Sequence, residues 1–241
     1  MRNSWNRLYV GPSAARDLGG LPVIHRNAGP VIGPAIDLQR AIYSLPEDGG
    51  RITLGEGIYQ LYETLTVRKK NVALVSTSPG KTIIRRSSST SGVMIRVDTD
   101  ASGFLMAGVA IQDVSPTNTD ATVEILAPSA TVKDSIFVDY HLGIYVKDTY
   151  GAKITCNRFE LGAERGSYCV YLHDADDCIV STNDFHEASL GFPAVYADDD
   201  SERVSIVGNL TSGANQISIK TGKFCSTAGN TPDGTSVQVR P

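Results

Sequence analysis

The chain is poor in the features that most quickly place a protein. It has four cysteines in 241 residues, and Cys156, Cys169, Cys178 and Cys225 show no Cys-x-x-Cys spacing. Neither a zinc knuckle nor a disulfide-stapled mini-domain is indicated, so free, mostly buried thiols are expected. The four histidines, His25, His141, His173 and His186, are scattered without zinc-ligand spacing, and no cofactor is expected. Long apolar runs are missing too. The most hydrophobic stretch, residues 104–111, is far shorter than the roughly 20 residues that span a bilayer. The opening 20 residues contain no apolar h-region, so neither a membrane span nor a secretory leader is expected.

Charge is nearly balanced in total and unbalanced in order. Lys and Arg number 22 against 26 Asp and Glu, a net −4. Residues 1–96 hold 13 basic and 6 acidic side chains, net +7, whereas residues 97–241 hold 9 and 20, net −11. Such a split is expected of a molecule with one docking end and one exposed end. The basic cluster Arg68-Lys69-Lys70 has no interleaved aromatics on which bases could stack, so no nucleic-acid partner is expected.

Residues 1–34 read as an extended arm. Gly11-Pro12, Gly19-Gly20, Gly29-Pro30 and Gly33-Pro34 break every periodic pattern, yet Trp5, Leu8, Tyr9 and Val10 are anchors that favour burial. With Arg2, Arg7, Arg16 and Arg26 against Asp17, the arm carries +3. Either it wraps its own domain or it lies on a neighbouring molecule, with Arg2, Trp5, Arg7, Tyr9 and Arg16 as the contact residues. A single convincing helix follows, residues 35–45, with Ile36, Leu38, Ala41, Ile42 and Leu45 on one face. Pro46 and Gly49-Gly50 end it. Beyond it come only short β-type runs separated by Gly, Ser, Asn or Asp.

The second half repeats. Gly143-Ile-Tyr-Val146, Cys169-Val-Tyr-Leu172 and Ala194-Val-Tyr-Ala197 start 26 and 25 residues apart, and Asn157, Asn183 and Asn209 recur at intervals of 26. Units of this length, made of short strands without a helix, exclude helical repeats and four-stranded propeller blades. They predict a solenoid in which each coil stacks about 4.8 Å above the last. Ile144, Val170 and Val195 would form one inward file, and Ile154, Ile179 and Val204 another. The asparagines would form a hydrogen-bonded ladder at one turn. The domain runs from residue 35 to 241; from Arg51 to its end, at about 24 residues per coil, the chain has room for about eight coils.

The run Ile36-Asp-Leu-Gln-Arg-Ala-Ile-Tyr-Ser-Leu-Pro46, with Gly49-Gly50, Ile52-Thr-Leu54, Gly57-Ile-Tyr59 and Leu65-Thr-Val67, resembles the opening of the pectate-lyase-like superfamily. The resemblance implies an all-β, right-handed, single-stranded parallel β-helix with an N-terminal capping helix. It is weak for function, because that superfamily spans polysaccharide lyases, hydrolases, phage tailspikes and non-enzymatic virion proteins.

Polygalacturonase-type members carry Asn-x-Asp, then Asp-Asp one coil later, His-Gly after that, and Arg-Ile-Lys. Here Asn118-Thr-Asp120 precedes Asp176-Asp177 by 58 residues, Asp198-Asp199-Asp200 stands where His-Gly is required, and Ser218 replaces the arginine. Fragments on the wrong coils do not flank one sugar. Asp148, Asp174 and Asp199 recur on successive coils and are the alternative catalytic candidates, with Asp174 and Asp199 as the alternative calcium ligands. Against this, Asp is a common turn residue whose side chain bonds nearby amides. Tyr145, Tyr171 and Tyr196 form a file pointing opposite to the inward residues, a surface suited to protein contact or sugar stacking.

These features and the resemblance lead to the expectation of a non-enzymatic bacteriophage virion protein, a capsid decoration or tail-associated component. It would be homotrimeric and would dock on capsid or tail proteins through its basic arm and capped end. The alternative is a carbohydrate-active or glycan-binding β-helix, with a surface polysaccharide in an acidic groove.

Overall fold

The computed structural model describes residues 7–10, 35–87, 90–114, 120–160, 168–186, 193–211, 217–219, 225–232 and 238–239. Arg2, Trp5 and Arg16, with Asn118 and Lys220, lie outside the described residues.

The chain begins its domain with the helix Ala35–Ser44. Leu38, Ala41, Ile42 and Leu45 are buried against the first coil, the face expected from helical spacing. Gln39 joins helix to sheet. Its Nε2 donates to Thr66 O at 2.9 Å and its Oε1 accepts from Thr66 N at 2.8 Å, so a side-chain amide stands in for the missing neighbouring strand. Lys69 Nζ donates to the carbonyls of Tyr43 and Leu45 at 2.8 and 2.6 Å, closing the helix C-terminus with a cation. Gly49 then turns the chain at φ 86°, and a Cβ there would meet Lys70 O at 1.9 Å, so no larger residue fits.

Three parallel sheets follow, each strand of a coil joining the same sheet one coil up. Sheet A starts with Gly50–Leu54, sheet B with Gly57–Leu61 and sheet C with Leu65–Val67. Strand Arg7–Val10 adds a ninth rung to sheet A, pairing Arg7 with Arg51 and Val10 with Leu54. At least this stretch of the arm therefore lies on its own domain. The protein is a right-handed parallel β-helix. Six coils have three or more residues in all three strands. In the two after them Leu210–Thr211, Thr231–Pro232 and Gln238–Val239 shrink to two. The regular solenoid is thus about six coils, fewer than the eight that dividing length by period predicts. The count fell because that division assigns a full coil to every turn-sized length of chain.

Inward files explain why these short strands hold. In sheet C, Leu65, Ile95, Val123, Ile144, Val170, Val195 and Ile217 stack in register, each 3% exposed or less. The expected file Ile144–Val170–Val195 is thus present. The sheet A file is Met106, Val132, Ile154, Val180 and Ile206, which corrects the expected Ile154–Ile179–Val204. Ile179 pairs with Lys153 and Ser205 and sits half-buried. Sheet B contributes Phe137, Phe159 and Phe185, stacked at centroid distances of 4.7 and 5.1 Å. Each aromatic pair adds about 0.5–1.5 kcal/mol beyond its burial.

The asparagine ladder forms and extends one coil further than expected, to Asn230. Asn157, Asn183 and Asn209 each donate from N and Nδ2 to the Oδ1 of the next asparagine, at 2.9–3.1 Å. Each Nδ2 also donates to a carbonyl of the coil below: Val132, Ile154 and Val180, with Asn230 reaching Ile206. Buried corner backbone is satisfied in this way.

Candidate functional site

The outward file of sheet C carries the aromatic surface. Arg96, Glu124, Tyr145, Tyr171, Tyr196 and Ser218 follow one another in register, because alternation along a strand sends every second side chain out. Tyr145 and Tyr171 lie 5.1 Å apart, as do Tyr171 and Tyr196. Tyr168, which precedes the strand Val170–Asp176, joins them. Its ring is 5.2 Å from Tyr171 and stacks on Tyr196 at 5.1 Å. Periodicity gave no sign of Tyr168, since it enters from the connecting segment and not from the strand.

His173 borders this quartet, with centroids 6.3 Å from Tyr145 and 6.1 Å from Tyr171. All four tyrosines are half-buried, leaving ring surface open on a rigid wall. Partial burial, then the nearby Asp198 charge, then the neighbouring tyrosines push the Tyr171 hydroxyl up to about 12. Tyr145 is raised by burial first and then by Asp148, Asp198 and Glu124. The Tyr145 and Tyr171 phenols are thus neutral donors set in a negative field.

The acidic candidates divide into two groups. Asp148 and Asp174 face each other between the pairs Lys147–His173 and Thr149–Ala175. Both are exposed and both adopt the left-handed backbone conformation, φ 49° and 45°. Asp tolerates that conformation better than most residues, so the two sit at a stacked bend inside their strands and not at the expected turn. Asp199 is also exposed, just beyond the end of strand Val195–Ala197. The carboxylate that the fold brings inward is instead Asp198, 5% exposed. One of its oxygens is hydrogen-bonded to His173 Nδ1. The other accepts from Ser201 Oγ at 3.0 Å and Asp174 N at 3.4 Å. His173, Asp198 and Asp200 each offer a ligand atom within 4.8 Å of the others. Asp176 and Asp177 are taken up by Arg203, which grips both oxygens of Asp177 at 2.7 and 2.9 Å and holds that carboxyl below its usual range.

The expected basic end is largely neutralised locally. Lys69 and Lys70 pair with Glu47 and Asp48, Arg68 with Asp98, Lys81 with Glu56, and Arg96 with Glu124. Arg86 is buried beside Asp113, 2.8 Å from Nε to Oδ1. Arg7 and Tyr9 lie in the added rung of sheet A. The four cysteines form no disulfide with one another: Cys156 is exposed, Cys225 half-buried, and Cys169 and Cys178 buried.

No protein-family model matches the chain, and no curated protein matches it. Solved structures do. An alginate lyase from Paenibacillus is 13% identical over 86% of this chain and 96% of its own, with a TM-score of 0.59. A Parabacteroides merdae protein assigned as a glycosyl hydrolase is 11% identical over 86% and 92%, with a TM-score of 0.55. A weaker match, TM-score 0.36 at 14% identity, is the tailspike of an Escherichia coli bacteriophage, over 95% of this chain and 68% of that one. At such identities the shared property is the fold, a parallel β-helix.

Proposed function

We propose that this chain is a structural, binding β-helix of a bacteriophage particle that recognises its partner through the tyrosine face. The observation that carries the reading is the aromatic quartet Tyr145, Tyr168, Tyr171 and Tyr196, joined by centroid contacts of 5.1–5.2 Å across three coils. Rigid half-buried tyrosines supply large contact area at little entropic cost, and they are enriched where proteins bind. The repeated carboxylates stand exposed, Asp148 and Asp174 at left-handed bends within their strands and Asp199 in a turn, an arrangement that fits solubility and local chain bending better than paired acid–base chemistry. The phage setting rests on the sequence resemblance and on the anchor-bearing basic arm. On this reading the chain assembles as a homotrimer and attaches to capsid or tail proteins of the virion.

The test has two arms. Mass measurement of the purified chain, alone and with candidate shell or tail proteins, should give a trimer and a stable complex lost in Tyr171→Ala/Tyr196→Ala. A polysaccharide panel should release no unsaturated or reducing ends. Release that disappears in His173→Ala or Asp198→Asn would establish the second reading, a carbohydrate-active β-helix, which the His173–Asp198 contact beside the stacked rings favours.

A further inference from the structure

We infer that His173, Asp198 and Asp200 form a binding site for one divalent transition-metal ion of the zinc class, at the edge of the tyrosine face. The fold builds this triad from two adjacent coils. Parallel register sets Leu172 beside Ala197, so the next residues along, His173 within its strand and Asp198 just past the end of its own, meet. Asp200 follows on the same turn. Their ligand atoms lie within 4.8 Å of one another.

The donor set selects the ion class. One imidazole nitrogen with two carboxylates suits zinc, cobalt or manganese, whereas calcium takes six to eight oxygens. Ligands around a tetrahedral zinc ion stand about 3.4 Å apart, given bonds near 2.1 Å. Zinc would replace the proton shared by His173 Nδ1 and Asp198, so those two atoms move apart to this spacing while the exposed Asp200 side chain moves in by roughly an ångström.

Asp198 is prepared for the task. It is nearly buried, and Ser201 Oγ and the Asp174 amide hold one of its oxygens. The other oxygen is left turned to the imidazole, the outer support that metal-binding carboxylates generally receive.

Charge provides an independent argument. Asp198, Asp199 and Asp200 place three carboxylates in a row on this segment. Yet among the described residues no lysine or arginine pairs with Asp198 or Asp200. Lys147, one coil below His173, lies 3.8 Å from Asp148, and Arg203 serves Asp176, Asp177 and Glu202. A bound cation would supply the missing countercharge while leaving coordination positions open toward the tyrosines. A metal there could also hold an oxygen of whatever docks on the rings. The site itself does not depend on the identity of that partner.

Calorimetric titration of the full chain with Zn²⁺ alone, at neutral pH, tests the inference. One ion per chain is expected, with affinity at least tenfold weaker in His173→Ala and in Asp200→Asn. Asp199→Asn and Cys156→Ser should bind as the parent does. Co²⁺ should give a visible absorption band that zinc displaces. Thermal melts of each variant separate lost ligation from lost folding, and the exposed Asp200 provides a change that leaves the core untouched. No saturable zinc binding, binding unchanged in both ligand variants, or equal preference for Ca²⁺ would each overturn the assignment. Because partner binding is read separately, failure here leaves the tyrosine-face reading standing, and the reverse also holds.

Discussion

Asn183 Oδ1 accepts two hydrogen bonds from one residue, Asn157, through its backbone N at 2.9 Å and its side-chain Nδ2 at 3.1 Å. One oxygen therefore satisfies two buried donors of the coil below, while Asn183 Nδ2 donates to Ile154 O. Replacing Asn183 with Ala orphans groups on both sides. Each unsatisfied buried group costs about 1–3 kcal/mol, so Asn183→Ala should lower unfolding free energy by about 3 kcal/mol or more in urea. Asn183→Asp should not restore it, because Asp lacks the Nδ2 donor. Asn230→Ala, at the thinner final coil, should cost less than half as much. Equal costs at both sites would refute the ladder as the source.

Arg86 and Asp113 form a pair buried to 3% and 2% side-chain exposure. Removing one partner strands a charge in the interior, so Asp113→Ala should destabilise by about 3–5 kcal/mol. The double change Arg86→Leu/Asp113→Leu should recover most of that loss, since a packed apolar pair needs no countercharge. A double variant less stable than Asp113→Ala would show that the pair's geometry matters beyond its charge.

Burial pushes the Cys169 thiol up to about 12 and Cys178 to about 11. At pH 8 only about one Cys169 in ten thousand would be thiolate. Mass-spectrometric labelling of the native chain should therefore modify exposed Cys156 first and leave Cys169 untouched. Both thiols return to an ordinary value near 9 when the chain unfolds. Above pH 9 the unfolded state loses protons that the folded state keeps, so stability is full below pH 9 and falls as pH rises toward 12. Tyr171 adds to the same decline above about pH 10. Melting temperature measured from pH 8 to 11 should drop steadily after 9, and a flat profile would contradict the assignment.

Tyr171→Ala and Tyr196→Ala remove half-buried ring surface without opening the core. Each should cost about 1 kcal/mol of stability while weakening partner binding at least tenfold, as loss of a central aromatic contact does. Tyr150→Ala provides the control, since that tyrosine is 58% exposed and lies outside the quartet.

Much of the fold is legible in the residues, and the reasons are specific. The 26-residue interval between asparagines sets the coil, and Ile144, Val170 and Val195 align because each stands between a small residue and a tyrosine. Ile179 and Val180 defeat the same logic. Both are β-branched and apolar, so alternation cannot tell the inward residue from its neighbour. Counting back three from each asparagine does: Asn157, Asn183 and Asn209 lead to Ile154, Val180 and Ile206, the observed file. The site is less legible. The run Asp198-Asp199-Asp200 offers three equivalent letters, and only where the strand stops, at Ala197, turns the first inward and leaves the second outside. Tyr168 belongs to no repeat position, so only three-dimensional proximity reveals it.

The asparagine ladder also makes the molecule a ruler. The coils of Asn157, Asn183 and Asn209 each close their corner by bonding to the one before and the one after, and every coil contributes one interstrand step of about 4.8 Å. Removing or duplicating the segment from Asn157 to the residue before Asn183 would rejoin one asparagine to another in the same setting. Because this unit carries Tyr168 and Tyr171, the height of the tyrosine face is graduated in whole coils, and evolution or an engineer can lengthen it by copying a unit without redesigning either end.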